Sequence, residues 1–204
     1  MKRGLRGVVA VAVVLAGGGC AADTAPERSP SGTAAPSGRA CPHGTFRWGT
    51  VVKREVLAGV SDARRYDAGD GARVHVSFEA VPVRSLHAGV TPAPPEGTLS
   101  PRAAVAALEK KTGAELAEAG TDFTLGADKV QETSFGKSSG ALFYDVGVTT
   151  YEASFAYHCD APGTAPVRGT LVTWSPVTYG DLVRCGIDEK LSPASAEAER
   201  LVCG

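Results

Sequence analysis

The chain has 204 residues, with 21 lysines and arginines against 22 aspartates and glutamates, so its formal net charge is −1. Loss of residues 1–19 would remove Lys2, Arg3 and Arg6, which leaves 18 basic against 22 acidic residues, a net charge of −4. A mildly acidic chain of this kind, without a basic run, argues against nucleic acid as a partner.

The first 19 residues have the three parts of an export signal. The basic residues named above begin it, residues 8–16 form an apolar stretch, and three glycines precede Cys20. The apolar stretch is too short to span a bilayer, which requires about 20 helical residues. We therefore expect residues 1–19 to be a signal peptide that is removed on export.

A stretch of small residues ending in Cys20 resembles the lipobox of bacterial lipoproteins. In that family the cysteine receives acyl chains such as palmitate and becomes the first residue of the mature protein. Gly17 stands where the family usually has leucine, and ordinary signal cleavage after Ala22 is the alternative. The five cysteines favour the lipid, because without Cys20 four remain, and four can pair completely in an oxidising compartment. The resemblance implies a lipid anchor on the extracytoplasmic face of the cell membrane.

Residues 21–40 have the composition of a tether. They contain only Ala, Pro, Ser, Gly, Thr and four charged residues, so they cannot bury enough apolar surface to offset the entropy of ordering. We expect residues 20–40 to comprise the lipidated cysteine and a disordered tether that reaches about 25 Å. Residues 41–204 are then long enough for a single domain with its own core.

Alternation of apolar and polar residues predicts four strands in this domain, at residues 46–52, 74–80, 142–157 and 171–174. In the third strand the apolar side chains occupy even positions up to Val148 and odd positions from Tyr151 onward. Such a change indicates a β-bulge or a break near Gly147. Core packing is the favoured role for the large aromatic residues of these strands, with a ligand pocket as the alternative. They are Phe46, Trp48, Tyr151, Phe155, Tyr157 and Trp174.

A serine-proline pair opens each of two helical patterns. Serine can cap the free N–H groups of a helix, and proline fits the first helical position, whose N–H has no partner. The first helix is predicted over residues 101–112, with Gly113 as its end, and a further helical turn is predicted over 114–119. The second helix is predicted over residues 193–202. The inward-facing residues are Ala104, Val105 and Leu108 in the first helix and Ala194, Ala198 and Leu201 in the second.

Strands joined by short turns, with helices at two separate points, predict an α+β fold on a mainly antiparallel sheet. Four cysteines allow two disulfides in three connectivities. We favour Cys185–Cys203, which pins the last helix to the strand end before it. The second pair is then Cys41–Cys159, which ties the first strand to the strand that ends near residue 157.

The C-terminal stretch from Trp174 to Gly204 has a strand, a turn at Cys185-Gly186, a serine-proline-capped helix and a final Cys203. This pattern is similar to the ending of small secreted lipoproteins of actinobacteria. The composition agrees, because a chain with a single isoleucine and no asparagine is typical of a high-GC Gram-positive genome. The resemblance implies location and disulfides, and it implies no chemistry.

Fragments of catalytic motifs occur without the arrangement that their chemistry needs. Residues 134–137 fit S-x-x-K and residues 111–113 fit K-T-G of penicillin-binding proteins and β-lactamases, but those enzymes need the serine first and K-T-G on a late strand. The four histidines form no zinc motif. The sequence therefore predicts no catalytic residue, no metal site and no cofactor.

The function predicted from these observations is a non-enzymatic binding or interaction module of the cell envelope, displayed by the tether. Its partners are the membrane, through the lipid on Cys20, and an envelope ligand or protein that the sequence does not identify. The alternative is an envelope hydrolase or other enzyme, which requires His75, His158 or Ser134 to converge with carboxylates in one cleft.

Overall fold

The computed structural model describes residues 41, 43–67, 74–126, 129–133, 139–187 and 190–204. All of these residues belong to one compact unit. The predicted signal peptide at 1–19 and the predicted lipidated cysteine and tether at 20–40 lie outside the described residues. Neither helix in the described ranges is long and apolar enough to cross a membrane.

The described residues form nine strands and two helices. In chain order they are β1 (Gly44–Ser61), β2 (Arg64–Tyr66), β3 (Val74–Phe78), β4 (Ala80–Pro82), β5 (Gly89–Thr91), α1 (Pro101–Thr112), β6 (Lys129–Thr133), β7 (Gly140–Cys159), β8 (Val167–Tyr179), β9 (Leu182–Arg184) and α2 (Pro193–Val202). The main sheet has the order β4-β1-β7-β8-β5, with β2 and β9 also paired to β7, and β3 pairs with β6. Every pairing is antiparallel, so the predicted α+β class is confirmed.

Three long strands form the centre of the main sheet. β7 is 20 residues long and lies between β1 and β8. Residues 160–166 join β7 to β8, with Gly163 at φ 78°. β1 runs beside β7 from Gly44, opposite Cys159, to Val60, opposite Asp145. These pairings place residues from distant parts of the chain side by side.

The irregularity predicted near Gly147 is present in the pairing of β7 with both neighbouring strands, and the strand itself does not break. β7 is continuous, but its pairing with β1 shifts in register between Leu57, opposite Gly147, and Gly59, opposite Val146. A second register shift lies in the pairing with β8, where Val148 and Thr150 face Thr178 and Trp174. Before residue 149 both faces of β7 are largely buried, whereas over 151–157 only the odd-numbered side chains are buried. The apolar pattern along β7 therefore also reflects which faces of the strand are covered.

Both helices pack on one side of the sheet, which we call the helix face. α1 packs on the odd-numbered side chains of β7 between residues 151 and 157, and α2 packs on Phe143 further along the same strand. The aromatic residues predicted for the core join the α1 cluster, except for Trp174, which is buried in a separate cluster. The buried residues of α1 are the predicted ones, Ala104, Val105 and Leu108.

The predicted helical turn at residues 114–119 is wrong. Gly113 ends α1 in the left-handed conformation, at φ 71°. The Leu116 N–H then donates to Glu109 Oε1 at 2.9 Å. The Ala117 N–H donates to the Trp174 carbonyl at 2.7 Å. These N–H groups are bound to a side chain and to the edge of β8, so they do not form a helical turn.

The two helices begin at the predicted residues, but only one of the two serines caps through its side chain. Ser192 Oγ accepts a hydrogen bond from the Ser195 N–H at 3.1 Å. The Ser100 side chain makes no cap hydrogen bond, although Pro101 follows it as predicted. The start of α1 therefore depends on the proline more than on the serine hydroxyl.

The buried side of α2 differs from the prediction. It consists of Ala194, Ser195 and Ala198, while Leu201 is 60% exposed. The helix is turned so that its first residues lie over polar groups of the sheet: the Ala194 N–H donates to Glu55 Oε1 at 3.4 Å. Polar contacts at the start of α2 thus set the rotation of the helix about its axis. The apolar pattern alone wrongly predicted that Leu201 faces inward.

The predicted strand over residues 74–80 is divided between two pairings. β3 pairs with β6 and ends at Phe78, while β4 begins at Ala80 and pairs with β1. Glu79 belongs to neither strand. The chain changes its pairing partner at this point, which a continuous alternation of apolar residues does not reveal.

Both predicted disulfides are present. Cys41 and Cys159 are bonded with their Cα atoms 5.7 Å apart, which closes the end of β7 onto the chain just before β1. Cys185 and Cys203 are bonded with their Cα atoms 5.5 Å apart, which ties the end of β9 to the end of α2. Both separations lie within the range of about 4.4–6.8 Å that disulfides require.

Candidate functional site

Several residues on which function was predicted lie outside the described ranges. They are Cys20, the predicted lipid site, Ser134 and the side chain of His75. His158 is half-buried on β7, opposite Thr45, and has no carboxylate partner within the described part of the chain. The convergence of these residues in one cleft therefore stays a prediction.

A histidine that sequence reasoning did not single out does pair with a carboxylate. His87 Nδ1 lies 2.8 Å from Asp122 Oδ1, and the same two residues form an isolated antiparallel β-bridge. Both side chains are largely in solvent, with 63% and 80% of their surface exposed. Among the described residues no hydroxyl or thiol is hydrogen-bonded to this histidine, so the pair is a surface contact between two loops.

The described residues contain no group of three histidine, cysteine, aspartate or glutamate side chains close enough to hold a metal ion. All four described cysteines are bonded in disulfides and are not available as thiolate ligands.

Asp145 is a carboxyl group buried on the helix face, with 1% of its surface exposed. Its Oδ1 accepts a hydrogen bond from the Asp181 N–H at 2.8 Å, while its Oδ2 is buried without a hydrogen-bond partner among the described residues. Burial raises the pKa of this carboxyl, and the nearby Ser195 hydroxyl and Asp181 N–H only partly oppose that effect. Because α2 covers it, Asp145 has a structural role at the start of that helix.

The side of the sheet opposite the helix face is uncovered over the second half of β7, and we call this surface the open face. Its β7 residues Glu152 and Ser154 are exposed. The open face contains a groove of about 520 Å³ that crosses β1, β7 and β8 and extends to Thr91 and Pro92 at the end of β5. We call it the arginine groove, and its main lining residues are Arg47, Gly49, Ser154, Ala156, Arg168 and Thr170.

Two arginines stand on opposite sides of the arginine groove. In the strand register, Arg47 of β1 and Arg168 of β8 both lie directly opposite Ala156 of β7. The three residues thus form one row across three adjacent strands. Two interstrand spacings separate the arginine Cα atoms by roughly 10 Å. Both arginines are exposed, and neither makes an ion pair or a side-chain hydrogen bond within the described ranges.

Small residues form the floor between the arginines. Ala156 leaves the space above the strand free, and in the next row Gly49 lies beside Ser154 so closely that a Cβ on Gly49 would overlap the serine hydroxyl. Thr170 stands opposite Ser154 on the other side. The floor therefore offers hydroxyl groups in the row next to the two arginines.

The carboxylate of Glu152 also lies on the open face, but it is four residues along β7 from Ala156, or roughly 13 Å. The local charge of the groove is therefore positive, in a chain whose expected mature net charge is −4. Sequence reasoning missed the groove, because Arg47 and Arg168 read as ordinary polar residues of two separate strands. The alternation of each arginine with less exposed residues indicates that its side chain faces solvent. Only the register of both strands with β7 brings the two arginines together.

Comparison of the chain with protein-family models, with curated proteins and with solved structures found no match.

Proposed function

We propose that this chain is a lipid-anchored extracytoplasmic protein that binds a ligand of the cell envelope in the arginine groove. The observation that carries the proposal is the pair Arg47 and Arg168, exposed and unpaired within the described residues, on a sheet face that the fold leaves open. Exposed arginines held on paired strands are positioned by the scaffold, and such positioned polar groups are what a binding site requires.

The described part of the chain begins near the end of the sheet that carries the groove. The folded part begins at Cys41, which is bonded to Cys159 at the end of β7. Arg47 follows the start of β1 at Gly44 by three residues, or roughly 10 Å. A tether attached before Cys41 would therefore join the domain at the end that carries the groove.

The charge of the chain supports an envelope ligand rather than nucleic acid. Two arginines in one groove provide few phosphate contacts, whereas nucleic-acid affinity depends on many such contacts and on a basic face. The excess of acidic residues elsewhere opposes binding to a long, highly charged duplex.

An envelope hydrolase or other enzyme is the alternative, and the pair His87 and Asp122 is the described feature most like part of a catalytic site. A base oriented by a carboxylate needs a nucleophile or an activated water in a sheltered cleft. Both side chains are instead largely exposed. We therefore favour binding.

The anchor is tested by feeding a labelled fatty acid to cells that express the full chain or its Cys20→Ser variant. We expect label and membrane association in the first and neither in the second. Equal membrane association of both proteins, without label, would contradict the lipid anchor.

Binding is tested with the full chain carrying Cys20→Ser, so that the lipid does not contribute. We expect this protein to sediment with isolated cell envelopes stripped of membrane lipid, in a saturable manner. Absence of sedimentation at any protein concentration would contradict the proposed binding function, whatever the outcome for the anchor.

A further inference from the structure

We propose that the arginine groove binds an oxyanion group of an anionic envelope polymer, held over Ala156 between Arg47 and Arg168. This inference rests on the proposed function and names the chemistry of its ligand. The group is a phosphodiester or a carboxylate, which share two negatively polarised oxygens that guanidinium groups bind.

The strand register places both guanidinium groups within reach of one bound group. Arg47 and Arg168 start from the same row on either side of Ala156, so two extended side chains can converge above it. Each guanidinium presents a planar fork of N–H donors, and an oxyanion with two free oxygens can accept from one fork on each side. The methyl group of Ala156 leaves room for such a group at the centre.

The electrostatics of this row favour an anion. Two like charges repel each other, and within the described ranges no carboxylate neutralises them. An anion between them removes the repulsion and gains charge-assisted hydrogen bonds, which are about twice as strong as neutral ones. The hydroxyls of Ser154 and Thr170 in the next row offer further donors along the groove.

The exposure of the two arginines and the charge of the chain favour a polymer over a small ion or a membrane surface. Charge pairs in contact with solvent contribute only about 0.2–1 kcal/mol each, so a single free anion would bind weakly. A chain with repeated anionic groups increases the effective concentration at the site. A flat anionic bilayer would instead meet the whole domain, whose excess of acidic residues opposes it.

The experiment titrates the full chain carrying Cys20→Ser with four probes at low ionic strength. The probes are poly(glycerol phosphate), polygalacturonate, neutral dextran and phosphatidylglycerol vesicles. We expect binding of one or both polyanions and not of dextran or vesicles. Arg47→Gln and Arg168→Gln should each weaken that binding about tenfold, and the double variant should abolish it.

Arg54→Gln is the matched control, because Arg54 is an exposed arginine of the same strand that does not line the groove. It removes the same charge and should change the affinity less than twofold. Arg47→Lys and Arg168→Lys keep the charge but lose the planar fork, so we expect each to weaken binding several-fold. Thermal unfolding of every variant checks that the fold is intact.

Three outcomes would overturn the inference. Equal loss of affinity in Arg54→Gln would show general charge attraction, and binding of vesicles without either polymer would identify lipid headgroups as the ligand. Sedimentation with envelopes that persists in the Arg47→Gln, Arg168→Gln double variant would leave envelope binding standing but remove the arginine groove as its site. If the proposed function itself fails, the Cys20→Ser protein with both groove arginines intact will not sediment with envelopes.

Discussion

The carboxyl group of Asp145 accepts a hydrogen bond from the Asp181 N–H at 2.8 Å, and this bond joins the buried middle of β7 to the turn between β8 and β9. The arrangement fixes one carboxyl oxygen and leaves the other buried without a partner among the described residues. A buried acid held in this way affects stability in a manner that depends on pH.

The Asp145→Asn variant tests this effect. Burial raises the pKa of Asp145 above its ordinary value of 3.8, so the folded protein keeps the proton to a higher pH than the unfolded chain does. The stability of the fold therefore decreases as the pH rises from that value through the raised pKa, and it stays lower above it. Asparagine keeps an oxygen for Asp181 and never ionises. We expect a gain of about 1 kcal/mol in the free energy of unfolding at pH 7 and none at pH 3.

Urea denaturation at pH 3, 5 and 7 measures this difference. Asp160→Asn, in the exposed turn after β7, removes the same charge and serves as the control. A variant at position 145 that is less stable than the natural protein at pH 7, with a deficit that grows as the pH rises, would show that the site stabilises the carboxylate.

Gly147→Ala tests the contact between β7 and the Tyr179 ring. A Cβ on Gly147 would overlap that ring, which packs in the α2 cluster. We expect a loss of about 2 kcal/mol in the free energy of unfolding. Gly126→Ala is the control, because a Cβ there meets no atom within 4 Å.

A double variant separates this overlap from a general effect of alanine at position 147. If the Tyr179 ring is the cause, Gly147→Ala combined with Tyr179→Ala should cost less than the sum of the two single changes. Strictly additive costs would mean that the glycine is needed for another reason.

The disulfides should stabilise the fold to different extents. In the chain-entropy model, the sequence separations of 18 for Cys185–Cys203 and 118 for Cys41–Cys159 correspond to about 3 and 5 kcal/mol. Paired replacement by serine, followed by denaturation, measures both losses. Loss of Cys185–Cys203 should also speed amide exchange in α2 while exchange in α1 stays unchanged. Equal acceleration in both helices would contradict a local role for this disulfide.

The ends of the helices could be predicted because local chemistry determines them. Pro101 and Pro193 start their helices at the predicted residues, and Gly113 ends the first. The count of cysteines left three connectivities open, and the order of the elements favoured the two pairs that are present. Where long-range contacts decide, the predictions were wrong, as for Leu201, whose exposure follows from the polar contacts under α2.

The arginine groove could not be predicted from local sequence patterns, because it also depends on long-range contacts. Arg47 and Arg168 lie on strands that are far apart in the sequence, and their common partner is Ala156 on a third strand. Whether a polar strand face is open or covered depends on where the helices pack. The first half of β7 shows this, because it is buried on both faces.

The most direct test of the central claim is titration of poly(glycerol phosphate) and polygalacturonate into the Ala156→Leu variant of the Cys20→Ser chain. Leucine would fill the space between Arg47 and Arg168 while both charges remain. Thr178→Leu, at an exposed position of β8 outside the groove, is the control. We predict that Ala156→Leu weakens polyanion binding at least about tenfold without lowering the melting temperature, and that the control binds normally. Unchanged binding by Ala156→Leu would contradict an oxyanion site over Ala156.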